Sequence, residues 1–373
     1  MRFHLIACVA AMAWAVSACG AQTPVAEEQR QAHDGRLMPP EKVTDRIWVM
    51  RQPDRLWAAV IGNVTIVEQS DGVVLIDSGG SIADGRDVVR AVAGLTSKPI
   101  KAVAITHWHN DHPLGVPAIL EAFPRAEVIA TPATAEYLKT ETKVGIGKSD
   151  PSLDAARAER AKQTVKEMEA EAAKASAPPE IRAQYALEAK WIAERIKRQM
   201  GNYVALPTRT VTDRLVLADP EAPVELHFLG TANTRGDLIA WLPKQGVVAT
   251  GDIVVLPTPY GFTVSTKPWL ATLDRLRRLP FTALIPGHGK VQHDRRYLDI
   301  LAWSMKDIAR QAGAAAAAGR TKDQALAEFD RSQHQARFAA ADPWTREWLD
   351  AYWLDGMFGT AFDEAKGIPA PGK

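Results

Sequence analysis

Apolar residues recur along the chain with two different periods, and the switches between them mark out its elements. Residues 46–50, 58–68 and 72–77 are short runs enriched in Val, Ile and Thr with Gly-containing breaks between them, and they read as strands. Val88, Val89, Val92 and Leu95 then fall at helical spacing, which predicts a helix over 82–95. A buried-type strand over 100–106, a helix over 114–123 and a strand over 127–130 follow. Further along, strands are predicted at 214–217, 224–229, 237–242, 246–250 and 282–285, with helices at 269–279 and 293–312. Strands alternating with helices predict a layered α/β domain.

Residues 134–202 break the alternation. Asp150-Pro151 offers an N-cap followed by a proline at the first helical position, and Ala161, Val165, Met168 and Ala172 form a narrow apolar stripe. Pro178-Pro179 ends that helix and starts another, which presents Ile181, Tyr185, Trp191, Ile192 and Ile196 before Gly201 closes it. Charges of both signs are dense here, so the segment reads as an inserted helical hairpin, either a solvated lid or a packing arm. Beyond residue 310, Thr321-x-x-Gln324 has the form of a capping box and Asp342-Pro343 opens a last helix. That helix carries Trp344, Trp348, Tyr352 and Trp353 at seam positions.

The start of the chain follows neither period. Arg2, a mostly apolar stretch from Phe3 to Val16 and then Val16-Ser17-Ala18-Cys19 have the form of an export signal over 1–19. The apolar stretch is shorter than the ~20 residues that span a bilayer. Its ending resembles a bacterial lipobox, which implies a lipid anchor on Cys19, the one predicted contact with a membrane, and Gly20 implies passage to an outer membrane. Residues 20–45 have the composition of a flexible tether.

Composition narrows the chemistry. Lys and Arg number 45 against 44 Asp and Glu, and this balance argues against a nucleic-acid partner and for a small-molecule substrate. Both cysteines, Cys8 and Cys19, precede the folded body, which therefore has no disulfide, thiol nucleophile or thiolate-bound metal. Imidazoles and carboxylates remain, and they cluster. Thr106-His107-Trp108-His109-Asn110-Asp111-His112 follows the 100–106 strand directly. Residues two apart in extended chain point the same way, so His107 and His109 can grip one metal while Asp111 and His112 turn toward a second position. Neutral imidazoles with carboxylates suit zinc.

His-x-His-x-Asp-His after a strand resembles the signature of the metallo-β-lactamase-fold hydrolases. Leu75-Ile76-Asp77-Ser78-Gly79, Thr250-Gly251-Asp252 and Ile285-Pro286-Gly287-His288-Gly289 are supporting matches. The resemblance covers roughly residues 46–133 and 203–310. It implies an αββα sandwich over 46–310, with the 134–202 hairpin inserted and 311–373 as a helical extension. It also implies one or two zinc ions: His107 and His109 in one position, Asp111, His112 and His288 in the other, Asp252 bridging, and Asp77 in support. Asp252 in place of a cysteine is similar to the pattern of glyoxalase II and the lactonases.

One position departs from that pattern. Gly230-Thr231-Ala232-Asn233-Thr234-Arg235-Gly236-Asp237 carries Asn233 where the family has a ligand histidine. An amide oxygen suits harder cations than zinc. Asn233 would then bind weakly or through water, or leave a single-zinc enzyme on Asp111, His112 and His288, or mark the loss of catalysis. The nearby His227 reads as structural. The function implied is exported zinc-dependent hydrolysis of an ester, lactone, thioester or amide, a β-lactam included, with Asp111 orienting the attacking water and handling its proton. The alternative is a catalytically impaired metal-binding lipoprotein. Trp57, Trp108 and Tyr260 are the predicted pocket walls, and Arg235 or Lys267 the cations for a substrate carboxylate.

Overall fold

The computed structural model describes residues 34–261 and 264–370; the predicted export signal with Cys19, and the tether up to residue 33, lie outside these. Seven strands pair in the order β1 (Glu41–Thr44), β2 (Ile47–Met50), β3 (Val64–Glu68), β4 (Val73–Ile76), β5 (Ile100–Ala104), β6 (Glu127–Ala130) and β9 (Arg209–Thr210). Five more pair as β10 (Arg214–Leu217), β11 (Val224–Phe228), β12 (Leu238–Leu242), β13 (Val247–Ala249) and β14 (Ala283–Ile285). The short β7 (Gly145–Ile146) and β8 (Tyr203–Val204) pair with each other and bracket the helical insertion. In the larger sheet β1 to β4 are antiparallel, whereas β4, β5 and β6 run parallel. The parallel steps are possible because the Ile82–Leu95 and Val116–Ala122 helices carry the chain back over one face.

Both faces of each sheet are covered, which explains why β4 and β12 are unbroken apolar runs. Val67, Val74, Ile76 and Ala104 point from the larger sheet into a core shared with Leu226, Leu238, Ala240 and Ile285 of the smaller. The opposite set, Ile66, Leu75 and Val103, meets Val88, Val92 and Ile119 of the two crossover helices. On the far side Ile239, Trp241 and Leu284 meet Trp269, Leu273 and Met305. The result is the predicted αββα sandwich. Its strands deliver their C-terminal ends, and the loops that follow them, to one edge.

Most predicted elements appear with shifted ends. Two segments differ in kind: Glu41–Thr44, inside the predicted tether, is an edge strand paired with β2, and only Val64–Glu68 of the predicted 58–68 strand joins the sheet. The stretch before it spends its backbone groups on two distant loops, Gly62 N–H donating to the Asp111 carbonyl at 3.0 Å and Asn63 N–H to the Gly287 carbonyl at 2.7 Å. A Cβ on Gly62 would lie 2.4 Å from the His112 ring, so only glycine allows this approach.

The insertion is a packing arm. Its helices Pro151–Ala173 and Pro179–Gln199 begin at the predicted Asp150 cap and Pro178-Pro179 break. Arg195 of the second helix is fully buried, and its two terminal nitrogens each meet an Asp84 carboxylate oxygen at 2.8 Å. Burial opposes the charge on Asp84, but Arg195 and then Arg198 hold its carboxyl below the usual range. Two turns earlier, buried Glu188 accepts from Trp57 N–H at 2.6 Å and Ala58 N–H at 3.3 Å. Burial outweighs both bonds and lifts Glu188 from 4.5 to about 8.

A raised carboxyl in the folded state has a fixed sign of linkage. Below pH 4.5 Glu188 is protonated folded and unfolded alike; between 4.5 and about 8 only the unfolded chain ionises. Stability should therefore fall across that window by several kcal/mol, at ~1.4 kcal/mol per unit. Urea midpoints of Glu188→Gln, which keeps an acceptor for Trp57 N–H, should be flatter with pH than those of the native chain. Parallel profiles would contradict the assignment.

Candidate metal centre

The ligand loop begins where β5 ends. Asp77, just beyond the neighbouring β4 and in a left-handed backbone conformation (φ 62°), anchors it by accepting from Thr106 N–H and Thr106 Oγ1, both at 2.8 Å. Its Oδ2 also lies 2.8 Å from His112 Nδ1, so that nitrogen keeps a proton, and in the neutral form that a metal would require Nε2 is the acceptor aimed into the site. The His112 carbonyl is gripped by Ser78 N–H at 2.9 Å and Ser78 Oγ at 2.8 Å. Asp252 arrives on a 3-10 turn after β13, and His288 on the loop after β14. A Cβ on Gly287 would sit 2.0 Å from Asp252 Oδ1, which explains the glycine before that histidine.

These elements bring two groups of ligand atoms together, His107–His112–Asp252 and Asp111–His112–His288, each within 4.8 Å. His112 Nε2 is 3.3 Å from both Asp111 Oδ2 and Asp252 Oδ1. His288 Nε2 is 3.0 Å from Asp111 Oδ2, and His107 Nε2 is 3.5 Å from Asp252 Oδ2. His109 joins neither group; its Nδ1 lies 2.9 Å from His107 Nε2. Asn233, 4% exposed, directs Nδ2 at Asp252 Oδ2 over 3.3 Å. His227 is elsewhere, on β11, with Glu225 Oε2 at 3.0 Å.

Electrostatics suit a cation. Burial drives His107 far below its ordinary range and lowers His109 as well, so both imidazoles are neutral. Burial also opposes charge on the carboxylates, yet His112 and His288 hold Asp111 well below the usual range, and His288, His112 and His107 do the same for Asp252. His112 goes the other way: burial disfavours its charge, but Asp111, Asp252 and Asp77 lift it well above normal. Three anions around one imidazole leave a site in need of positive charge. Among the buried atoms without a hydrogen-bond partner are His112 Nε2 and Asp252 Oδ1, which lie 3.3 Å apart. Buried polar atoms are rarely left unpaired, and a divalent cation between these two would satisfy both.

The centre forms the floor of a cavity of about 940 Å³. Trp57, Trp108 and Tyr260, predicted as walls, all line it. An aromatic succession leads away from the ligands: His109 to Tyr260 at 6.0 Å between ring centroids, then Tyr260 to Tyr352 at 5.7 Å. Tyr352 Oη donates to the Trp57 carbonyl at 3.2 Å and closes that side. Tyr352 from the C-terminal helices, Gln199 from the hairpin and Lys143 from the loop before it also line the cavity, and sequence reasoning named none of them as walls. The cations at the cavity are Arg55, Lys143 and Lys290, in place of Arg235 and Lys267.

A family model described as the metallo-beta-lactamase superfamily matches residues 57–288. The chain is 24% identical over 245 residues to the linear primary-alkylsulfatase of Pseudomonas sp. (strain ATCC 19151), covering 60% of this chain and 41% of that protein. It is 31% identical over 98 residues to the atrochrysone carboxyl ACP thioesterase of Aspergillus novofumigatus, covering 26% of this chain and 30% of the other. Among solved structures, the inverting sec-alkylsulfatase Pisa1 from Pseudomonas sp. superposes with a TM-score of 0.60 at 18% identity, over 91% of this chain and 52% of that one. A metallo-beta-lactamase from Pontibacter korlensis gives 0.51 at 18% identity, over 73% of this chain and 99% of the other. The chain thus spans about half the length of the alkylsulfatases or less.

Proposed function

From the premise that this chain belongs to the metallo-beta-lactamase superfamily, we propose that it is a zinc-dependent hydrolase of a small ester, lactone, thioester or amide. The observation that carries this reading is the pair of unpartnered buried atoms, His112 Nε2 and Asp252 Oδ1, at the floor of an aromatic-walled cavity. His107, His109, Asp111, His112, Asp252 and His288 are the residues that would hold metal. Zinc held there would lower the pKa of a bound water from 15.7 to about 7 and would polarise the scissile bond.

The chain's own residues do the rest. Asp111 has the more exposed carboxylate of the two at the floor, at 18% against 4% for Asp252. Both line the cavity, and Asp111 is the better placed to orient water and take its proton. Asp77 holds His112 in the tautomer that leaves Nε2 free. Burial, with the charges of Asp111 and Asp252, keeps the Tyr260 phenol protonated, so it can donate to a substrate oxygen. Trp57, Trp108 and Tyr352 exclude water from the substrate's apolar part.

A sulfate ester is the second reading, favoured by the alkylsulfatase relative and by cationic Lys143 on the cavity wall. The test is a panel of aryl ester, thioester, lactone, nitrocefin and alkyl sulfate, run before and after chelation and zinc restoration. Acyl turnover that disappears with the metal and returns with zinc is expected. Turnover of the alkyl sulfate alone would replace the acyl reading. No turnover of any substrate by zinc-loaded protein would leave the impaired metal-binding lipoprotein.

A further inference from the structure

The two groups of ligand atoms are not equivalent, and Asn233 is the reason. On the His107 side both ring nitrogens of His107, and the Asp252 oxygen that faces it, already have partners, Thr106 Oγ1 meeting His107 Nδ1 at 3.0 Å. His107 Nε2 lies against His109 Nδ1 at 2.9 Å, and Asp252 Oδ2 receives the Asn233 amide at 3.3 Å. The unpartnered atoms, His112 Nε2 and Asp252 Oδ1, both face the Asp111–His112–His288 side.

The amide cannot simply withdraw. Ala232 N–H and Thr234 N–H, one on each side of Asn233, both donate to Asp237 Oδ2, at 3.2 and 2.7 Å. That clamp fixes the turn and keeps the side chain over Asp252. Next to an ionised carboxylate a carboxamide must present its NH2 group, because its oxygen would be repelled. Asn233 therefore directs an N–H donor at the one Asp252 oxygen that faces His107. Turning the amide over would expose an oxygen, a ligand better suited to hard cations than to zinc.

We propose that the two metal positions differ sharply in affinity. Asp111, His112, His288 and Asp252 Oδ1 hold one zinc firmly, while the His107–His109 position is weak and exchangeable because Asn233 caps Asp252 Oδ2 and supplies no nitrogen. This deepens the zinc-hydrolase reading and rests on it for the identity of the metal.

The test counts metal and needs no substrate. Apoprotein is loaded with excess zinc, freed of loose metal by gel filtration and measured by elemental analysis, with circular dichroism to verify folding. The native chain should retain one zinc and His107→Ala still one, whereas His288→Ala should retain none. Asn233→His should retain two, and a chromophoric chelator should report its second dissociation constant lowered at least about a hundredfold, because a direct ligand should outweigh the about 10–100-fold typical of a partner that only supports one. Native protein retaining two zincs or none, Asn233→His retaining one, or loss on His107→Ala with retention on His288→Ala overturns the proposal. If the counts come out as expected and the substrate panel is silent, the hydrolase reading fails and the unequal sites stand.

Discussion

Replacing His112 with alanine is expected to abolish zinc retention and to lower kcat/KM by at least about a thousandfold. His112 belongs to both ligand groups, and its Nε2 lies 3.3 Å from each of the two carboxylates. Without the imidazole, Asp111 and Asp252 face each other with less positive charge between them, and the firm position falls from four ligand residues to Asp111, His288 and Asp252. Lewis-acid stabilisation is worth several kcal/mol, and each 1.36 kcal/mol is a factor of ten in rate, so ~4 kcal/mol gives the thousandfold figure. Asp77→Ala makes the graded comparison. It leaves every proposed ligand in place but releases the His112 ring, and such supporting carboxylates are typically worth about 10–100-fold in metal affinity or activity. Rates and zinc content measured on both variants separate the two roles. Full activity in His112→Ala would remove this site from the chemistry altogether.

The second large effect concerns stability. Arg195→Met should destabilise the fold by ~3 kcal/mol, the lower end of the range for breaking a buried ion pair. The loss comes from leaving the fully buried Asp84 without its bidentate partner, and Arg198, 3.1 Å away, limits it. Adding Asp84→Leu should recover much of the loss, because two apolar side chains carry no unpaired charge. Urea midpoints and slopes on the single and double variants are the measurement. A single variant as stable as the native chain would mean that the hairpin is not fastened through this pair. Because Gln199 and Lys143 reach the cavity from the hairpin and its root, Arg195→Met should also raise KM more than it lowers kcat.

What the sequence disclosed was local. The Ile82–Leu95 helix has its cap, Ser81, and its apolar stripe within fifteen residues, and it appears with its predicted bounds. The histidine motif was legible because most of its ligands sit within six residues at the end of one strand. The alternation of elements disclosed a layered α/β domain, and the family resemblance implied that it is a sandwich. By contrast, residues 58–63 have strand composition yet bind the Asp111 and Gly287 loops, partners that no local pattern reveals. Of the tryptophans at helical spacing, Trp191, Trp344 and Trp353 are buried and Trp348 is half-buried, but spacing does not say against what. Trp344 meets Tyr185 of the hairpin at 4.9 Å, and Trp348 stacks near Trp57 at 6.4 Å, so three remote segments share one aromatic cluster. Glu188 likewise looked like one charge among many on a solvated helix until the Trp57 turn was placed against it.

The hydrogen bond from Tyr352 to the Trp57 carbonyl joins residues 295 positions apart, across one mouth of the cavity. Bond-breaking and choice of molecule are thus written in different passages of the gene. The loops after β5, β13 and β14 can stay constant under selection while the hairpin root and the C-terminal helices drift, and each change there would readdress the same reaction to another compound. A mutant library confined to Lys143, Gln199 and Tyr352 is the laboratory form of that history.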